Sequence, residues 1–270
     1  MPRPTVSQTR LLGVGLASLA LMGCAADSVL IGAAVFPGAW LCQLLWVHTA
    51  TAPGWARLLW VCMAGAASYF LYGVILILLV GLLRRLLRLD LREGAYPLLS
   101  LEAVKWAMST ALKSPVSITF LSVLLLTPFA AVFYRVMGAR IGRGVQINST
   151  SCADPSLLEI GDHAVIGGHA TIVGHLFEEG RLILKRVRIG QRVVVGLNAI
   201  ILPGADVGDG ATIAAGAVVP KDTRIAPGSV YLGVSLRWPG RATASRLAAR
   251  PFWQDLIAPG HRSRARGGVR

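Results

Sequence analysis

Two hydrophobic patterns divide the 270-residue chain. Across residues 11–83 apolar side chains follow one another, with only Asp27 and Arg57 as charged interruptions. From Ala139 onward aliphatic residues instead return at every sixth position, separated by Gly, Ala and polar residues. The first pattern predicts helices solvated by lipid and the second a coil of short repeated strands.

A helix needs about 20 apolar residues to cross a bilayer. Residues 11–33 and 59–83 both meet that length, so crossings are expected near each. Gly32, Pro37, Gly38, Pro53 and Gly54 are expected to break the intervening stretch into short pieces, with Trp40, Trp46, Trp55 and Trp60 at an interfacial belt. Arg3 and Arg10 precede the first crossing, and Arg84, Arg85, Arg88 and Arg92 follow the second. That asymmetry predicts an even number of crossings with both ends in the cytoplasm, two or four according to whether residues 11–47 hold one long bent helix or a tight hairpin. Residues 117–132 are apolar but lie between Lys113 and Arg135 and beside Pro115 and Pro128. Interfacial or re-entrant helices over 98–134 fit those flanks better than a third crossing, which would carry the C-terminal half to the opposite side.

In the repeat half, Ile189, Val195, Ile201, Val207, Ile213, Val219, Ile225 and Tyr231 stand six apart without a slip. Earlier blocks carry Ile160, Ile166 and Ile172, and before them Ile141 and Ile147. The fifth position is small or β-branched, as at Ala164, Ala170, Val193, Ala199, Ala205, Ala211 and Ala217. Each hexapeptide then makes one flat side of a triangular coil, with the aliphatic residue inside and three sides to a turn. Gly at position two, as in Gly142, Gly161, Gly167, Gly190, Gly196 and Gly208, is expected to ease the backbone at a bend. The fold class is thus α plus β-solenoid: transmembrane and interfacial helices over 1–136, a left-handed parallel β-helix over 137–237, and a basic tail over 238–270. The period breaks at 148–159 and at 175–188. Insertions in solenoids become loops on one face and commonly carry function.

Composition changes this picture little. The formal charge of +14 comes from Arg and Lys beside apolar segments and in the tail, which suits anionic lipid and not nucleic acid. Cys24, Cys42, Cys62 and Cys152 form no CxxC or Cys/His pattern, so neither disulfide scaffolding nor a structural metal is expected. The string Leu21-Met22-Gly23-Cys24 looks like a lipoprotein processing site, but a cysteine within a membrane helix is the plainer reading.

The repeat together with "VVPKDTRIAPGSVYLGVSLR" resembles the end of hexapeptide-repeat acyltransferases. The strings "HLFEEGRLILKRVRIG" and "YPLLSLEAVKWA" further resemble the membrane-embedded terminal domain of polylysine-synthetase-like nonribosomal peptide synthetases. The resemblance implies a loop histidine as general base, and His175, which opens the longer excursion, matches it. Glu178 or Glu179 is then a candidate to orient the ring or bind an amine, with a salt-bridged loop carboxylate as the default reading for either. His163 and His169 share the fourth position of successive hexapeptides and are expected to line the same outer groove, as exposed polar residues first of all. For the donor, the resemblance points to Lys221, Arg237, Asn198 and the backbone of Ala214, Ala215 and Gly216. "GVSLR" replaces the family's G-N-P-A-R, which brings a phosphopantetheine thioester on a carrier protein in beside acetyl-CoA or another acyl-CoA. No tightly bound cofactor is expected.

The expected function is transfer of an acyl or aminoacyl group from such a thioester to a hydroxyl or amine. The expected place is the cytoplasmic face of a bacterial inner membrane. Partners are the bilayer, further copies of the chain (a trimer, or a dimer), and a carrier protein or biosynthetic enzymes. The competing expectation is a non-catalytic coil that scaffolds a membrane biosynthetic complex.

Overall fold

The computed structural model describes residues 6–233. Its N-terminal part is helical. Helix α1 (Val6–His48) and helix α2 (Gly54–Leu86) form an antiparallel hairpin. Both contain stretches long and apolar enough to cross a membrane, Gly23–His48 and Gly54–Leu86. Of the two alternatives for this stretch the single long helix is found: α1 continues through Gly32, Pro37 and Gly38, which do not fragment it. Gly38 instead permits close helix contact: a Cβ there would lie 2.7 Å from Ser68 Cβ, and the Ser68 hydroxyl donates to the Gly38 carbonyl at 3.0 Å. Only the Pro53–Gly54 pair acts as a break, with Pro53 capping α2. Arg57 lies 3.5 Å over the Trp46 ring at this turn, a cation–π contact. Cys24 lies inside α1.

After α2 a short strand β1 (Gly94–Pro97) leads to helix α3 (Leu101–Thr119), started by the Ser100 hydroxyl, which accepts from the Ala103 amide at 3.2 Å. Two short helices follow, α4 (Leu121–Leu124) and α5 (Pro128–Val136). The stretch 117–132 is therefore split among three helices, and none of its pieces is long enough to cross a bilayer.

The C-terminal part is a stack of parallel strands in three sheets, consistent with a left-handed β-helix. The first turn holds β2 (Arg140–Ile141) and β3 (Gln146–Ile147). The second holds β4 (Leu158–Ile160), β5 (Val165–Ile166) and β6 (Thr171–Ile172). A hairpin of β7 (His175–Glu178) and β8 (Arg181–Leu184) interrupts here. The third turn is β9 (Val187–Ile189), β10 (Val194–Val195) and β11 (Ile200–Ile201). The fourth is β12 (Asp206–Val207), β13 (Thr212–Ile213) and β14 (Val218–Val219), followed by β15 (Arg224–Ile225) and β16 (Val230–Tyr231). The first face carries β2-β4-β9-β12-β15, the second β3-β5-β10-β13-β16, and the third β6-β11-β14, extended by a bridge from Ile172 to Cys152.

Position one points inward throughout the stack: Ile147, Ile166, Val195 and Ile213 are at most 1% exposed. Each such side chain contributes about 1.5–3 kcal/mol by burial. The fifth-position alanines fill the corners and are equally buried. Glycine's reason at position two differs from the expected one. A Cβ at Gly161 would lie 2.6 Å from the Gln191 amide nitrogen, and one at Gly167 2.6 Å from the Val195 carbonyl of the next turn. Position two therefore marks close approach of successive turns, while the left-handed bend falls at position four. His163, His169, Arg192, Asn198 and Asp222 all take φ between 51° and 58° there.

Helix α5 closes the N-terminal end of the coil. Phe133, Tyr134 and Met137 are fully buried in one core shared by α2, α3, α5 and the coil interior. The Tyr134 hydroxyl donates to the Ser149 carbonyl at 3.0 Å, and the Leu126 amide to the Ile147 carbonyl at 2.9 Å.

Candidate active site

Both breaks in the six-residue period fall at the same edge of the prism, where the third face hands over to the first. In the earlier break the chain leaves the third face at Cys152 and returns at β4. In the later one it leaves at β6 and returns at β9. The excursions are thus stacked one turn apart, and residues far apart in sequence meet.

The earlier excursion supplies Asp154. It stands in the left-handed region at φ 52°, just before a 3₁₀ turn (Pro155–Leu157) whose Leu157 is fully buried. The later excursion supplies His175. Its hairpin turns through Glu179 (φ 50°) and Gly180 (φ 72°), the positive-φ pair a two-residue hairpin loop needs. β8 also pairs with β1, so the hairpin is the outer part of a three-stranded antiparallel sheet, order β1-β8-β7. Leu91, Ala103, Leu157, Leu182 and Leu184 form a small second core that fixes both excursions against α3.

Asp154 Oδ2 lies 2.6 Å from His175 Nδ1 and accepts from the Gly174 amide at 3.0 Å. Its Oδ1 accepts from Trp106 Nε1 of α3 at 2.8 Å. The Asp154 side chain is 2% exposed and that of His175 24%. A carboxylate only accepts, so Nδ1 carries the proton and the neutral ring presents Nε2 as an acceptor. Among the described residues nothing occupies Nε2. Trp106 and Phe177 pack on the ring, with centroids 4.7 and 6.0 Å from it. This arrangement can take a proton from a hydroxyl or amine.

Below the pair, Cys152 is completely buried, and burial pushes its thiol up to about 11 against the pull of Lys113 and a hydrogen bond with Tyr134. Burial also lowers the Lys113 ammonium below the usual lysine range, opposed by Cys152 and Asp154.

The other sequence-selected residues distribute as follows. Neither Glu178 nor Glu179 orients the ring; Asp154 does so. Glu178 is ion-paired with Lys221, and Glu179 sits in the hairpin turn. Lys221 thereby belongs to the His175 edge. Asn198 and Ala214–Gly216 occupy a different edge, between the second and third faces, where the Gly216 amide donates to the Leu197 carbonyl at 2.8 Å. The five donor residues described do not form one surface within a chain. Arg237 lies outside the described residues. His163 and His169 do not share a groove with His175: successive fourth positions fall on three different edges, because three hexapeptides close a turn. Trp106 and Asp154 were missed. The signal that pointed toward Asp154 was the earlier period break, which places it one turn below the histidine.

Residues 186–221 match the family model described as the hexapeptide repeat of succinyl-transferase. No curated protein matches the chain. Among solved structures, a hexapeptide-repeat-containing acetyltransferase from Vibrio cholerae aligns at 17% identity over 48% of this chain and 89% of its own, with a TM-score of 0.40. Serine acetyltransferase from Neisseria gonorrhoeae aligns at 22% identity over 48% and 54%, with a TM-score of 0.30. A maltose O-acetyltransferase from Clostridium difficile 630 aligns at 19% over 52% and 88%, with a TM-score of 0.38. The hexapeptide repeat matched by sequence over 186–221 lies within a coil whose strands, outside the two excursions, keep the same six-residue spacing from β2 to β16.

Proposed function

We propose that this protein is a membrane-anchored acyltransferase with His175 as its general base. The observation that carries the reading is the 2.6 Å contact between His175 Nδ1 and the buried Asp154 carboxylate. In the reaction, the acceptor hydroxyl or amine attacks the thioester carbonyl as Nε2 removes its proton. The new C–O or C–N bond forms, the C–S bond breaks, and the proton passes to the leaving thiolate. Asp154 holds the tautomer and stabilises the imidazolium while it exists, the role a buried aspartate has in a Ser-His-Asp triad.

The donor is a CoA thioester or, given the departure of "GVSLR" from G-N-P-A-R, a carrier-protein thioester. Lys221 at the His175 edge suits its phosphates by exchanging Glu178 for them. Anchoring is by the α1–α2 hairpin crossing twice, with Arg84, Arg85, Arg88 and Arg92 on the cytoplasmic side and the coil beside them. Self-association suits the outer second and third faces, where Val194, Leu197, Ile200 and Val230 are 37–62% exposed. The first face instead alternates Arg140, Glu159, Arg188, Asp206 and Arg224 across paired strands, a solvated surface.

The test is His175→Ala in the full chain. Loss of thioester consumption with retained membrane insertion and oligomeric state is expected. Unchanged turnover, or loss of assembly alone, would overturn the reading in favour of a scaffold.

A further inference from the structure

Helix α3 turns a polar stripe inward beside the buried Ala103, Leu112 and Val116, and leaves an apolar stripe open. Glu102, Trp106, Ser109 and Lys113 recur at spacings of four, three and four residues and so form one stripe. That polar stripe faces inward: Ser109 is 3% exposed, the Glu102 side chain 16%, and Trp106 reaches Asp154. The opposite stripe is apolar and open, with Leu101 at 70%, Val104 at 37%, Met108 at 37% and Ile118 at 80% exposure. A soluble helix places these faces the other way round. An outward apolar face continuing into the exposed Phe129 and Val132 of α5, next to two membrane-length helices, fits contact with lipid. The His175–Asp154 pair then stands one helix thickness, about 10 Å, from the acyl region of the bilayer.

The inward stripe has polar capacity the protein leaves unused. Lys113 is partly buried and has no hydrogen-bond or ion-pair partner among the described residues. The nearby Asp154 carboxylate is already engaged by Trp106, Gly174 and His175. Seven residues beyond Trp106 on the same face, Lys113 stands about 10 Å along α3 from the contact that holds the pair. A partly buried ammonium without a direct partner gains a charge-assisted contact when an anion binds it.

We propose that the acceptor is the head group of a membrane lipid, whose phosphate Lys113 binds while its hydroxyl or amine reaches His175 Nε2. The inference names the acceptor for the reading above and rests on it. With its exposed apolar stripe resting on lipid, α3 would lie in the interfacial layer, the layer that also holds lipid phosphate. Lys113 acts as a binding residue for the acceptor, and its charge is the feature that selects an anionic head group.

The experiment uses the full chain in a phosphate-free maltoside micelle and follows reductive methylation of each lysine by peptide mass spectrometry. Phosphatidylglycerol is expected to slow methylation of Lys113 about tenfold, the scale of one charge-assisted contact. Lys105, ion-paired with Glu102 on the same helix, and Lys185, ion-paired with Asp222, serve as controls and should not change. sn-Glycerol 1-phosphate should give no comparable protection. Lys113→Gln should lose retained phosphatidylglycerol in native mass spectrometry, and Lys113→Arg should keep it. Equal methylation with and without the lipid overturns the proposal. Equal protection by glycerol phosphate overturns the lipid source. His175→Ala should abolish thioester consumption yet preserve the protection of Lys113. Retained consumption in that variant would overturn the general-base reading alone.

Discussion

Replacing Asp154 by Asn tests the chemistry of the pair with almost no change in volume. Asp154 serves three donors, two at Oδ2 (Gly174 N and His175 Nδ1) and one at Oδ1 (Trp106 Nε1). An amide has one oxygen. If it faces His175 and Gly174, the new NH₂ meets the Trp106 N–H and two buried donors oppose each other. If it faces Trp106, the NH₂ confronts the Gly174 amide and forces His175 to accept at Nδ1, which moves the ring proton to Nε2 and removes the base. Either orientation leaves one buried donor unsatisfied, a loss of about 1–3 kcal/mol in stability. The second also costs activity on the scale of the wrong-tautomer variant of a Ser-His-Asp triad, about 10⁴-fold in kcat. The assay pairs thioester consumption with ¹⁵N resonances of the imidazoles in labelled protein. In the parent chain His175 should show a protonated Nδ1 and an unprotonated Nε2. In Asp154→Asn, kcat should fall at least about 100-fold, with KM nearly unchanged. A variant that keeps both the tautomer and the turnover would refute the assignment of Asp154 as the group that orients the base.

Three further outcomes follow from the coil and its charges. With its thiol raised to about 11, native Cys152 should resist iodoacetamide at pH 8 and react only once the chain is unfolded; labelling at the rate of a free thiol would mean that the first turn is open. Gly167→Ala should destabilise the coil by about 1–3 kcal/mol, read by thermal unfolding, because its Cβ meets the Val195 carbonyl and the stack has to part. For Glu159, burial raises the carboxyl, but hydrogen bonds from Arg186 and Arg140 outweigh it and hold the group below its ordinary range. A folded value below the unfolded one gives a contribution complete above the unfolded pKa and lost as pH falls through the folded value. Unfolding midpoints of the parent chain and Glu159→Gln should therefore differ at pH 6 and converge in acid.

Much of the coil is legible in the chain because one position in six has a single task. Ile166, Val195 and Ile213 sit at the same height on successive turns, so the spacing of aliphatic residues is also the pairing register. The glycines were visible but their cause was not: a close approach between turns is tertiary, and nothing local to Gly161 reports that Gln191 lies above it. Whether Gly32, Pro37 and Gly38 break the helix is left open by the chain alone, because helix-breaking penalties are weighed in water. Along an apolar helix packed on a neighbour, the alternative of exposing backbone is worse. His175 is singled out in the chain by its excursion and by resemblance. Its partner lay in the other excursion, which was noted without counting sides. Two breaks separated by one full turn must share an edge, and that arithmetic alone brings residues 148–159 beside 175–188. Trp106 had no such signal, since its contact with Asp154 crosses 48 positions and depends on how α3 lies.

The helical cap has a consequence for how the molecule is made and how it varies. Because α5 seals the first turn, the coil has a fixed origin and one direction of growth, away from the hairpin helices. During synthesis the helices and the cap emerge first, so each later turn adds to a surface already in place, and the long search that parallel strands otherwise face becomes a succession of short local steps. The His–Asp pair is completed within the first two turns. Turns gained or lost at the far end would change the length of the coil without moving the pair, leaving its length free to vary while the pair stays where the cap sets it.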